Sequence, residues 1–578
     1  MSLTGTLQIG RSALTAGQLG IQIAGQNMAN ATTPGYSRQT LDLRPIVGAR
    51  SGTGFLIGRG VEISGLRREV DAALQSRLRD SVASEASAQQ ALSVYDAIES
   101  TLNELTGYDL SSELNTFFGT WSERANLVQS SAVVVQAGRR VAEFVNQLRG
   151  DLGEQRSQIE RQLGSSIERA DTILTEVAGL NEQIAAAEQG RGVASSLRDR
   201  RDQLLGELST LIDVSVVEQT SGAVDVLAGS TPILYGNRSL GLELLQESGA
   251  NGVDVRVVTK DGQRTLDVSA GSVGSLLDLR ENAVGGTIER LDEIAATLIF
   301  EVNKLHSTGT NAEGLRTTTG TLGLALGDRT RSLNDPLNAT LGGLPFEATN
   351  GGFVVHVKNS ANGTTQSVRI DVDLDGLGAD GRPSFADDTS AEDIRAALNA
   401  IDGLNASFTS DGRLKIDADT GFEFSFENDT SGALAVLGVN AYFTGTDAQS
   451  IGVRNDLVAQ PSLLMAGRRV GGELVENGTA LEVVALQSRT LDALGGQSIR
   501  GAWGTTVQAV ALDAQAAKTR ADATTAVRES LEAQNAAVSG VNVDEETINL
   551  LNFQRQYQGG ARLISVADQL LQELMAIV

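Results

Sequence analysis

The chain contains 578 residues, which is long enough for three or four domains with cores of their own. It has no cysteine and two histidines, so disulfides, thiolate metal ligands and most imidazole chemistry are excluded. Its 72 acidic residues outnumber 46 basic ones, and the net charge of −26 argues against nucleic acid or an anionic membrane as a partner. Only five basic residues are lysine, and only 4% of all residues are aromatic, so a catalytic protein is the less favoured class.

The N-terminal segment carries none of the features of a cleavable signal peptide. It lacks a basic beginning, and Gln8, Gly10 and Arg11 interrupt any apolar run. No stretch approaches the roughly 18 apolar residues that a membrane-spanning helix needs, so no membrane insertion is predicted. These observations alone predict a soluble, cytoplasmic chain.

The first predicted element is a helix over residues 3–28 with a seam of apolar and small side chains. The seam positions alternate spacings of four and three, and they are Leu3, Leu7, Gly10, Leu14, Gly17, Ile21, Ala24 and Met28. Arg11 is the only charged residue among residues 1–37. A helix surface of uncharged amides and hydroxyls suits a helix that protein surrounds on most sides.

A sharp helix stop is predicted over residues 30–35. Asn30 is expected to end the helix in the left-handed region of backbone space. Pro34 and Gly35 fit positions i+1 and i+2 of a type II turn. The residues by themselves predict a turn here and no particular function.

The rest of the chain alternates between helical and strand patterns. Residues 68–212 are predicted to be helical, with a sustained heptad over 159–187 that is typical of a long packed helix. Residues 213–270 and 335–455 have strand patterns, and the latter includes one short helix that begins at a capping box of Ser390 and Asp393. Residues 284–308 and about 478–578 are predicted to be helical.

The predicted fold is therefore multidomain α+β, with a helical coiled-coil or bundle trunk built from both chain ends and with inserted antiparallel β-domains. We predict a terminal coiled-coil domain of residues 1–37 and 540–578, which would form an inner tube. The helical trunk domain would comprise residues 60–212, 276–310 and 456–539. A β-domain would cover residues 213–275, and an outer inserted β-domain would cover residues 335–455.

The C-terminal helix carries a second seam at spacings of three and four. Its positions are Leu550, Phe553, Tyr557, Gly560, Ile564, Ala567, Leu571, Leu574 and Val578. The conformational entropy of ordering an N-terminal helix of this length exceeds what its five large apolar seam residues return on burial. We therefore predict that both ends become ordered when several copies assemble, and an intramolecular helix pair is the alternative.

Residues 371–376 begin like a calcium-binding EF-hand loop, with aspartates at positions 1, 3 and 5 and glycine at position 6. The bidentate glutamate expected at position 12 is replaced by Arg382, and position 9 is Ala379. The favoured interpretation is a strand in which Ile370, Val372 and Leu374 face a core while the aspartates face water.

Three other patterns are interpreted as structural. Residues 376–381 match GxGxxG, but no helix is predicted after them and Pro383 follows, so they are interpreted as a turn. His306, near a helix end, and His356, within a strand, lack the spacing of a metal pair. Residues 544–546 are interpreted as complements to a helix dipole, with Asn542 and Glu545 able to form a capping-box-like pair. No catalytic, cofactor-binding or metal-binding residue is assigned.

Both termini resemble bacterial flagellar axial proteins. The run Asn30-Ala-Thr-Thr-Pro-Gly-Tyr-Ser-Arg-Gln39 resembles their N-terminal signature, and its Tyr36-Ser-Arg-Gln ending is most similar to the hook-associated protein 1 family. Residues 539–546, 549–557 and 561–568 are similar to the C-terminal end of that family, and residues 422–445 resemble its β insert. Gln558-Gly559-Gly560 departs from the family, whose members tend to carry alanines there.

The resemblance implies a non-enzymatic structural protein that self-assembles at the tip of the flagellar hook. Such proteins leave the cell unfolded through the flagellar type III export channel without a cleaved signal, which replaces the cytoplasmic prediction with an extracellular one. The implied partners are further copies of the chain, the hook protein, the second junction protein and an export chaperone that binds the C-terminal region.

The seams and the turn are the predicted assembly contacts. The residues are Leu3, Leu7, Leu14, Ile21, Met28, Asn30, Pro34, Gly35, Tyr36, Arg38, Leu550, Phe553, Tyr557, Ile564, Leu571 and Leu574. One alternative is another axial component, either hook protein or the second junction protein. An alternative from another class is an extracellular glycan-binding or adhesive protein whose β-domains bind ligands.

Overall fold

The computed structural model of the chain describes residues 3–47, 58–103, 107–189, 192–249, 252–378 and 380–577. It has long helices towards both ends and small antiparallel sheets between them, so the predicted α+β fold class is confirmed. None of the described helices combines the length and apolar character needed to cross a bilayer.

Four of the described helices exceed 30 residues. In chain order the helices are α1 (Leu3–Ala29), α2 (Ala72–Leu102), α3 (Leu110–Ala125), α4 (Ser131–Ala187), α5 (Ser195–Leu211), α6 (Gly271–Asp278), α7 (Gly286–Ser307), α8 (Ala391–Asn399), α9 (Ala433–Val436), α10 (Asn455–Ala459), α11 (Gly478–Leu486), α12 (Ile499–Ser539) and α13 (Val543–Ile577). The four long helices are α2, α4, α12 and α13. A π-helical segment, Leu279–Gly285, leads into α7.

The strands are short and pair in small antiparallel sheets. They are β1 (Gln39–Pro45), β2 (Val61–Arg68), β3 (Val214–Glu218), β4 (Val224–Ala228), β5 (Thr231–Tyr235), β6 (Arg238–Ser239), β7 (Leu242–Gly249), β8 (Gly252–Thr259), β9 (Gly309–Thr310), β10 (Thr317–Gly323), β11 (Gly351–Asn359), β12 (Thr365–Val372), β13 (Leu404–Phe408), β14 (Arg413–Ala418), β15 (Phe422–Glu427), β16 (Phe443–Thr444), β17 (Gly452–Val453), β18 (Gly467–Val470) and β19 (Glu473–Val475). The sheet orders are β1-β2, β3-β4-β5-β6, β7-β8, β10-β14-β13, β12-β11-β15, β16-β17 and β19-β18-β9.

The chain divides into two compact units. The first contains Met1–Val94, Gln158–Arg280 and Gln515–Val578, and therefore brings α1 and α13 together with β1 to β8. The second contains Tyr95–Ser157 and Glu281–Ala514, and therefore holds β9 to β19. Each unit is discontinuous in sequence.

Helical periodicity in the first unit corresponds to burial. Six of the nine predicted heptad positions of α4 are buried, and they are Ile159, Leu163, Ala170, Ile173, Val177 and Ile184. The turns predicted at residues 221–222 and 235–237 join β3 to β4 and β5 to β6. The prediction of a small antiparallel β region over residues 213–270 is thereby confirmed.

The β region of the second unit is built around a common apolar core. Phe353 and Val355 on β11, with Phe424 and Phe426 on β15, are all at most 1% exposed. The predicted short helix is α8, whose N-cap Ser390 forms a complete capping box with Asp393. Residues 410–412 join β13 to β14 as predicted.

His306 is buried at the end of α7 and makes two hydrogen bonds that fix its tautomer. Its Nδ1 donates to the Asn440 carbonyl oxygen at 2.7 Å, and its Nε2 accepts from the Met465 amide at 3.1 Å. Burial, reinforced by the nearby Arg454 charge, lowers the pKa of His306 to about 3. Asp456 acts weakly in the opposite direction. A neutral histidine therefore stabilises this core.

We predict that His306 makes the second unit sensitive to acid. The unfolded chain binds a proton near pH 6.5, whereas the folded chain binds it only near pH 3. Above pH 6.5 the free energy of unfolding therefore contains the full contribution of neutral His306. Between pH 6.5 and pH 3 that contribution falls by about 1.4 kcal/mol for each pH unit. Chemical denaturation from pH 7 to pH 4.5 should show a shallower decline for His306→Gln than for wild type. Equal slopes would contradict this role, because the two proteins share every carboxylate.

Candidate assembly interface at the chain termini

The two terminal helices, α1 and α13, pack antiparallel within one chain. Gly10 approaches Gly560 and Ile564, while Gly17, further along α1, approaches Phe553 and Tyr557, which come earlier in α13. In the structure both ends are therefore helical and pair with each other within one chain. This arrangement corresponds to the alternative, an intramolecular helix pair, and not to ends that become ordered on assembly. The two seams identified in the sequence face each other in this pair.

Glycine permits the close approach of the two helix backbones. A Cβ atom on Gly17 would lie 2.9 Å from the Tyr557 nitrogen and 3.1 Å from the Phe553 oxygen, which are both backbone atoms. A Cβ atom on Gly20 would overlap the ring of Phe553. Larger residues at these positions would force the helices apart, as at other interfaces built on small residues.

The contact also explains one of the two glycines that weaken α13. A Cβ atom on Gly560 would lie 3.0 Å from the Gly10 oxygen and 3.1 Å from the Leu14 nitrogen. Gly559 has no atom within 4 Å of such a Cβ, and nothing in the structure requires glycine there. The helix-breaking cost at Gly560 is thus offset by close packing.

A buried polar network lies where α1 ends and α13 begins. Asn27 is 1% exposed, and its Nδ2 donates to the Gln39 carbonyl oxygen at 2.9 Å and to Glu546 Oε2 at 3.0 Å. Its Oδ1 accepts from the Gln39 amide at 3.1 Å and from the Tyr36 hydroxyl at 2.8 Å. Burial, with Asp199 and Glu546 nearby, raises the pKa of Tyr36 to about 12, so the hydroxyl remains a donor.

Arg38 joins the turn after α1 to the first turn of α13. Its Nε donates to Glu546 Oε1 at 2.9 Å, and its Nη1 donates to Glu545 Oε2 at 3.2 Å. The Glu546 side chain is 3% exposed, whereas that of Glu545 is 57% exposed. The backbone amide of Arg38 also donates to the Ser539 carbonyl oxygen at 2.9 Å. Glu546 is therefore a buried charge satisfied by Arg38 and Asn27.

The turn after α1 is fixed from both sides. Gly35 has a φ of +75°, and the Tyr36 amide donates to the Thr33 oxygen at 3.2 Å, as the type II turn requires. Asn30 does not adopt the predicted left-handed conformation, because its backbone φ is not positive. Its side-chain Nδ2 instead donates to the Gln26 carbonyl oxygen at 2.9 Å, which caps the helix end without that conformation.

The first strand pair is anchored to α5 through Arg68. Its Nη2 lies 2.6 Å from both Asp199 Oδ1 and Asp202 Oδ2, and 3.2 Å from Ser37 Oγ. Gln203 Nε2 donates to the Pro34 carbonyl oxygen at 2.5 Å. These contacts hold residues 34–37 against α5 within the first unit.

The predicted contact residues differ widely in exposure within the single chain. Gly10, Gly17 and Ala24 of the first seam are buried. Five large residues of that seam are half-buried, namely Leu3, Leu7, Leu14, Ile21 and Met28. On α13, Leu550, Phe553, Ile564 and Leu571 are half-buried, while Tyr557 and Leu574 are 42% and 55% exposed. Tyr36 and Arg38 lie in the polar network, and Pro34 and Gly35 are exposed.

Three residues of the network were not among the predicted contacts. Asn27 and Gln39 carry no sequence signal that separates them from other amides. Glu546 belongs to the acidic run interpreted as a complement to the helix dipole. Asn542 does cap the helix, since its Oδ1 accepts from the Asp544 amide at 3.0 Å, but Glu545 turns to Arg38. One signal was available in the sequence. Glu546 precedes Leu550 by four positions and Phe553 by seven, which is the spacing of the seam.

The other sequence patterns form structural features. Ile370 and Val372 are buried and Asp371, Asp373 and Asp375 are exposed, as the strand interpretation requires. Asp373 and Asp375 do meet the buried Asp388, with carboxylate oxygens within 4.8 Å of one another. Asp388 already accepts from the Gly376 amide and from Asn334 Nδ2, at 3.1 and 2.8 Å.

The GxGxxG segment and the second histidine are also accounted for. The Gly378 amide donates to the Arg382 oxygen at 2.8 Å and the Gly381 amide donates to the Gly378 oxygen at 2.7 Å, so the described residues of this segment lie in a turn, as predicted, while Ala379 lies outside the described residues. His356 lies in β11 as predicted, with Nδ1 2.7 Å from Ser367 Oγ and Nε2 2.6 Å from Glu427 Oε2. The pKa of Glu427 is lowered, mainly by hydrogen bonds from His356 and from the Gly471 amide that outweigh its burial.

We predict that Gly17→Ala loosens the terminal helix pair. The added methyl group meets two backbone atoms of α13, so the helices must separate at a cost of about 1–3 kcal/mol. Hydrogen exchange of the backbone amides in α1 should become faster, by a factor that corresponds to this free-energy cost. Gly25→Ala is the matched control, since a Cβ there has no atom within 4 Å and alanine favours the helix. Equal exchange in both variants would contradict the close-approach role.

We predict different effects for the adjacent substitutions Glu546→Ala and Glu545→Ala. Removing Glu546 takes one acceptor from the buried Asn27 amide and the buried ion-pair partner from Arg38, which should destabilise the pair by about 2–3 kcal/mol. Removing Glu545 breaks only an exposed pair and should cost at most about 1 kcal/mol. Limited proteolysis at residues 30–40 measures the difference. A similar rate for the two variants would show that the buried network does not hold the turn.

Two family models match separate parts of the chain. Residues 95–322 match the flagellar hook-associated protein FlgK helical domain. Residues 533–577, which include most of α13, match the flagellar basal body rod FlgEFG protein C-terminal model.

Full-length relatives agree with these matches. The chain is 25% identical to flagellar hook-associated protein 1 of Salmonella typhimurium and 24% identical to that of Escherichia coli, covering 98% of each chain. It is 23% identical to the Bacillus subtilis protein of the same name, over 98% of this chain and 97% of the relative. The solved flagellar hook junction protein FlgK from Burkholderia pseudomallei aligns with 14% identity and a TM-score of 0.48, covering 80% of this chain and all of that one. With an FlgK helical-domain match over residues 95–322 and relatives that align from end to end, the chain is similar over nearly its whole length to flagellar hook-associated protein 1, the hook–filament junction protein family.

Proposed function

We propose that the chain is a structural component of the bacterial flagellum that self-assembles at the hook tip, where it forms the hook–filament junction and adapts the hook mechanically to the filament. Its relatives are flagellar structural proteins. The proposed role needs no catalytic residue, cofactor or metal. What it needs is a surface on which copies of the chain pack against one another.

The single observation that carries this proposal is an apolar stripe on α13 that α1 leaves uncovered. Its residues recur on one side of the helix, and they are Ile548, Leu551, Leu563, Val566 and Leu570, which are 41–59% exposed. The seam of α13 that faces α1 lies on a different side, at Gly560 and Ala567. An exposed row of five large apolar residues marks an interaction surface.

A second copy of the same chain is the occupant that suits this stripe. Residues 547–578 carry four charges, Arg555, Arg562, Asp568 and Glu573, which cancel, although the whole chain has a net charge of −26. Like-charge repulsion between copies is therefore weak along α13 after its acidic first turn. A helix pair that is neutral and apolar on its outer side can be surrounded by identical pairs.

The proposal gives each predicted domain and contact a position in the assembly. The terminal pair would form an inner tube, with residues 60–212, 276–310 and 456–539 as a helical layer and the β-domains of residues 213–275 and 335–455 outside. The half-buried seam residues and the turn of residues 30–39 would contact neighbouring subunits.

We also propose the external partners and the route of export. The chain would bind hook protein on one side and the second junction protein on the other, and an export chaperone would bind its C-terminal region in the cytoplasm. It would reach the cell exterior through the flagellar type III channel without a cleaved signal. The family matches favour this role over hook protein, the second junction protein or a glycan-binding protein.

The α13 stripe is tested by Val566→Asp. A carboxylate in the middle of the stripe should block packing of a second copy while the single chain stays folded, because Val566 is 52% exposed. We expect hooks that lack junction protein to be capped by wild type and not by Val566→Asp, as seen by electron microscopy. Circular dichroism should show unchanged helix content.

Ser565→Asp is the matched control, since it adds the same charge at the neighbouring exposed position outside the stripe. It should cap hooks as wild type does. Capping by Val566→Asp at the wild-type level would overturn the assignment of this surface to subunit packing.

A further inference from the structure

A cavity of about 440 Å³ in the first unit concentrates positive charge in an otherwise acidic protein. It lies among β2, the beginning of α2, α5 and the strands β3 and β4. Its wall contains five arginines, which are Arg67, Arg68, Arg79, Arg198 and Arg201. The same wall contains two carboxylates, Asp202 and Glu218. We call this feature the arginine cavity.

Three of the five arginines are neutralised by acidic partners. Arg67 pairs with Glu69 at 2.7 Å. Arg68 pairs with both Asp199 and Asp202 at 2.6 Å.

Arg198 completes the set of neutralised arginines. It pairs with Glu188 at 2.8 Å and with Glu218 at 2.6 Å. Both carboxylates of the cavity wall, Asp202 and Glu218, are therefore already engaged with these arginines.

Arg201 is the first arginine without an acidic partner. It is 2% exposed, and its Nη1 donates to two neutral acceptors, Asn181 Oδ1 at 3.2 Å and the Gly222 carbonyl oxygen at 2.7 Å. Its Nε is buried with no hydrogen-bond partner. A buried donor of this kind costs free energy unless something accepts from it.

Arg79 is the second arginine without an acidic partner. No ion pair or hydrogen bond connects its guanidinium to any residue that the structure describes, and its Nε is buried. Burial lowers the pKa of Arg79 and that of Arg201, and nearby carboxylates offset this only in part, Asp202 acting on both, Asp80 on Arg79 and Glu218 on Arg201. Two cations without an ion-pair partner thus line one cavity.

We propose that the arginine cavity binds an oxyanion, a phosphate or a carboxylate, through Arg79 and Arg201. The guanidinium group presents its donors in a planar fork that matches these two anions, and a lysine would not offer the same geometry. A bound oxyanion adds the negative charge that neither guanidinium group receives from an ion-pair partner. The site is separate from the terminal helix pair and does not depend on the proposed junction function.

The oxyanion has two possible sources with the same chemistry. One is a free anion such as inorganic phosphate. The other is an acidic side chain of a second copy of the chain, inserted when subunits pack. A volume of about 440 Å³ accommodates either one.

The test is isothermal titration of inorganic phosphate into the purified full-length chain at constant ionic strength. Wild type should bind phosphate with a stoichiometry of one, and Arg79→Gln should bind at least tenfold more weakly. The matched control is Arg77→Gln, which removes an exposed arginine two residues earlier on α2. It should bind phosphate as wild type does. No binding to wild type, or equal binding by wild type and Arg79→Gln, would overturn the proposal.

A second variant covers the case in which Arg79→Gln does not fold. Arg79→Lys keeps the charge and loses the planar fork, so it should bind phosphate more weakly than wild type and more tightly than a chain with no cation there. Wild-type affinity in Arg79→Lys would overturn the role of the guanidinium.

Hook capping in the presence of phosphate distinguishes the two sources. If phosphate binds and capping continues, the natural occupant is a free anion. If phosphate binds and inhibits capping by wild type at a concentration that matches its affinity, the occupant is a carboxylate of a second copy. Because phosphate binding is measured on the unassembled chain, failure of the junction function leaves this result unaffected.

Discussion

The arrangement of the chain ends depends on one constraint, which is that two helix backbones can approach this closely only where glycine faces the partner. Gly17 and Gly560 meet backbone atoms across the contact, and neither position has room for a side chain. This approach carries the start of α13 to the end of α1, where Glu546 is buried beside Asn27 and Arg38. A shift of one helix turn would leave the Glu546 charge without partners, so the network fixes the register that the glycines permit.

The same constraint separates two kinds of surface on α13. The side against α1 combines Gly560 and Ala567 with larger residues such as Phe553 and Ile564, and it is packed within the chain. The stripe presents large apolar residues that are 41–59% exposed. Few charges lie on residues 1–37 or 547–578, so the net charge of −26 belongs to the rest of the molecule. In the proposed assembly, nearly neutral ends would allow many copies to meet without like-charge repulsion.

Much of the fold could be predicted from the sequence, because periodic burial leaves a periodic pattern. The heptad of α4, the capping box of α8 and the turn at Pro34 and Gly35 are each set by neighbours in sequence. The terminal seams were recognisable for the same reason. Departures from a family pattern were harder to interpret, and Gly560 is explained only by the backbone of α1 opposite it.

Features that depend on residues far apart in sequence could not be predicted. Glu546 is separated from Asn27 by 519 positions, and only its seam spacing from Leu550 and Phe553 distinguishes it from the exposed Glu545 beside it. At Asn30 a local preference for the left-handed conformation gave the wrong prediction. The Asn30 side chain instead donates a hydrogen bond to the Gln26 carbonyl oxygen at the helix end. The arginine cavity likewise arises from β2, α2 and α5 together, although the sequence did show that arginine far outnumbers lysine.

Removal of residues 1–37 is the most direct measurement of whether the paired ends are the assembly element. The remaining chain keeps the whole of the second unit and most of the first, so the helices other than α1 should remain and the chain should unfold cooperatively. Added to hooks that lack junction protein, it should fail to cap them. Capping by the truncated chain at the wild-type level would contradict the central role of the α1–α13 pair.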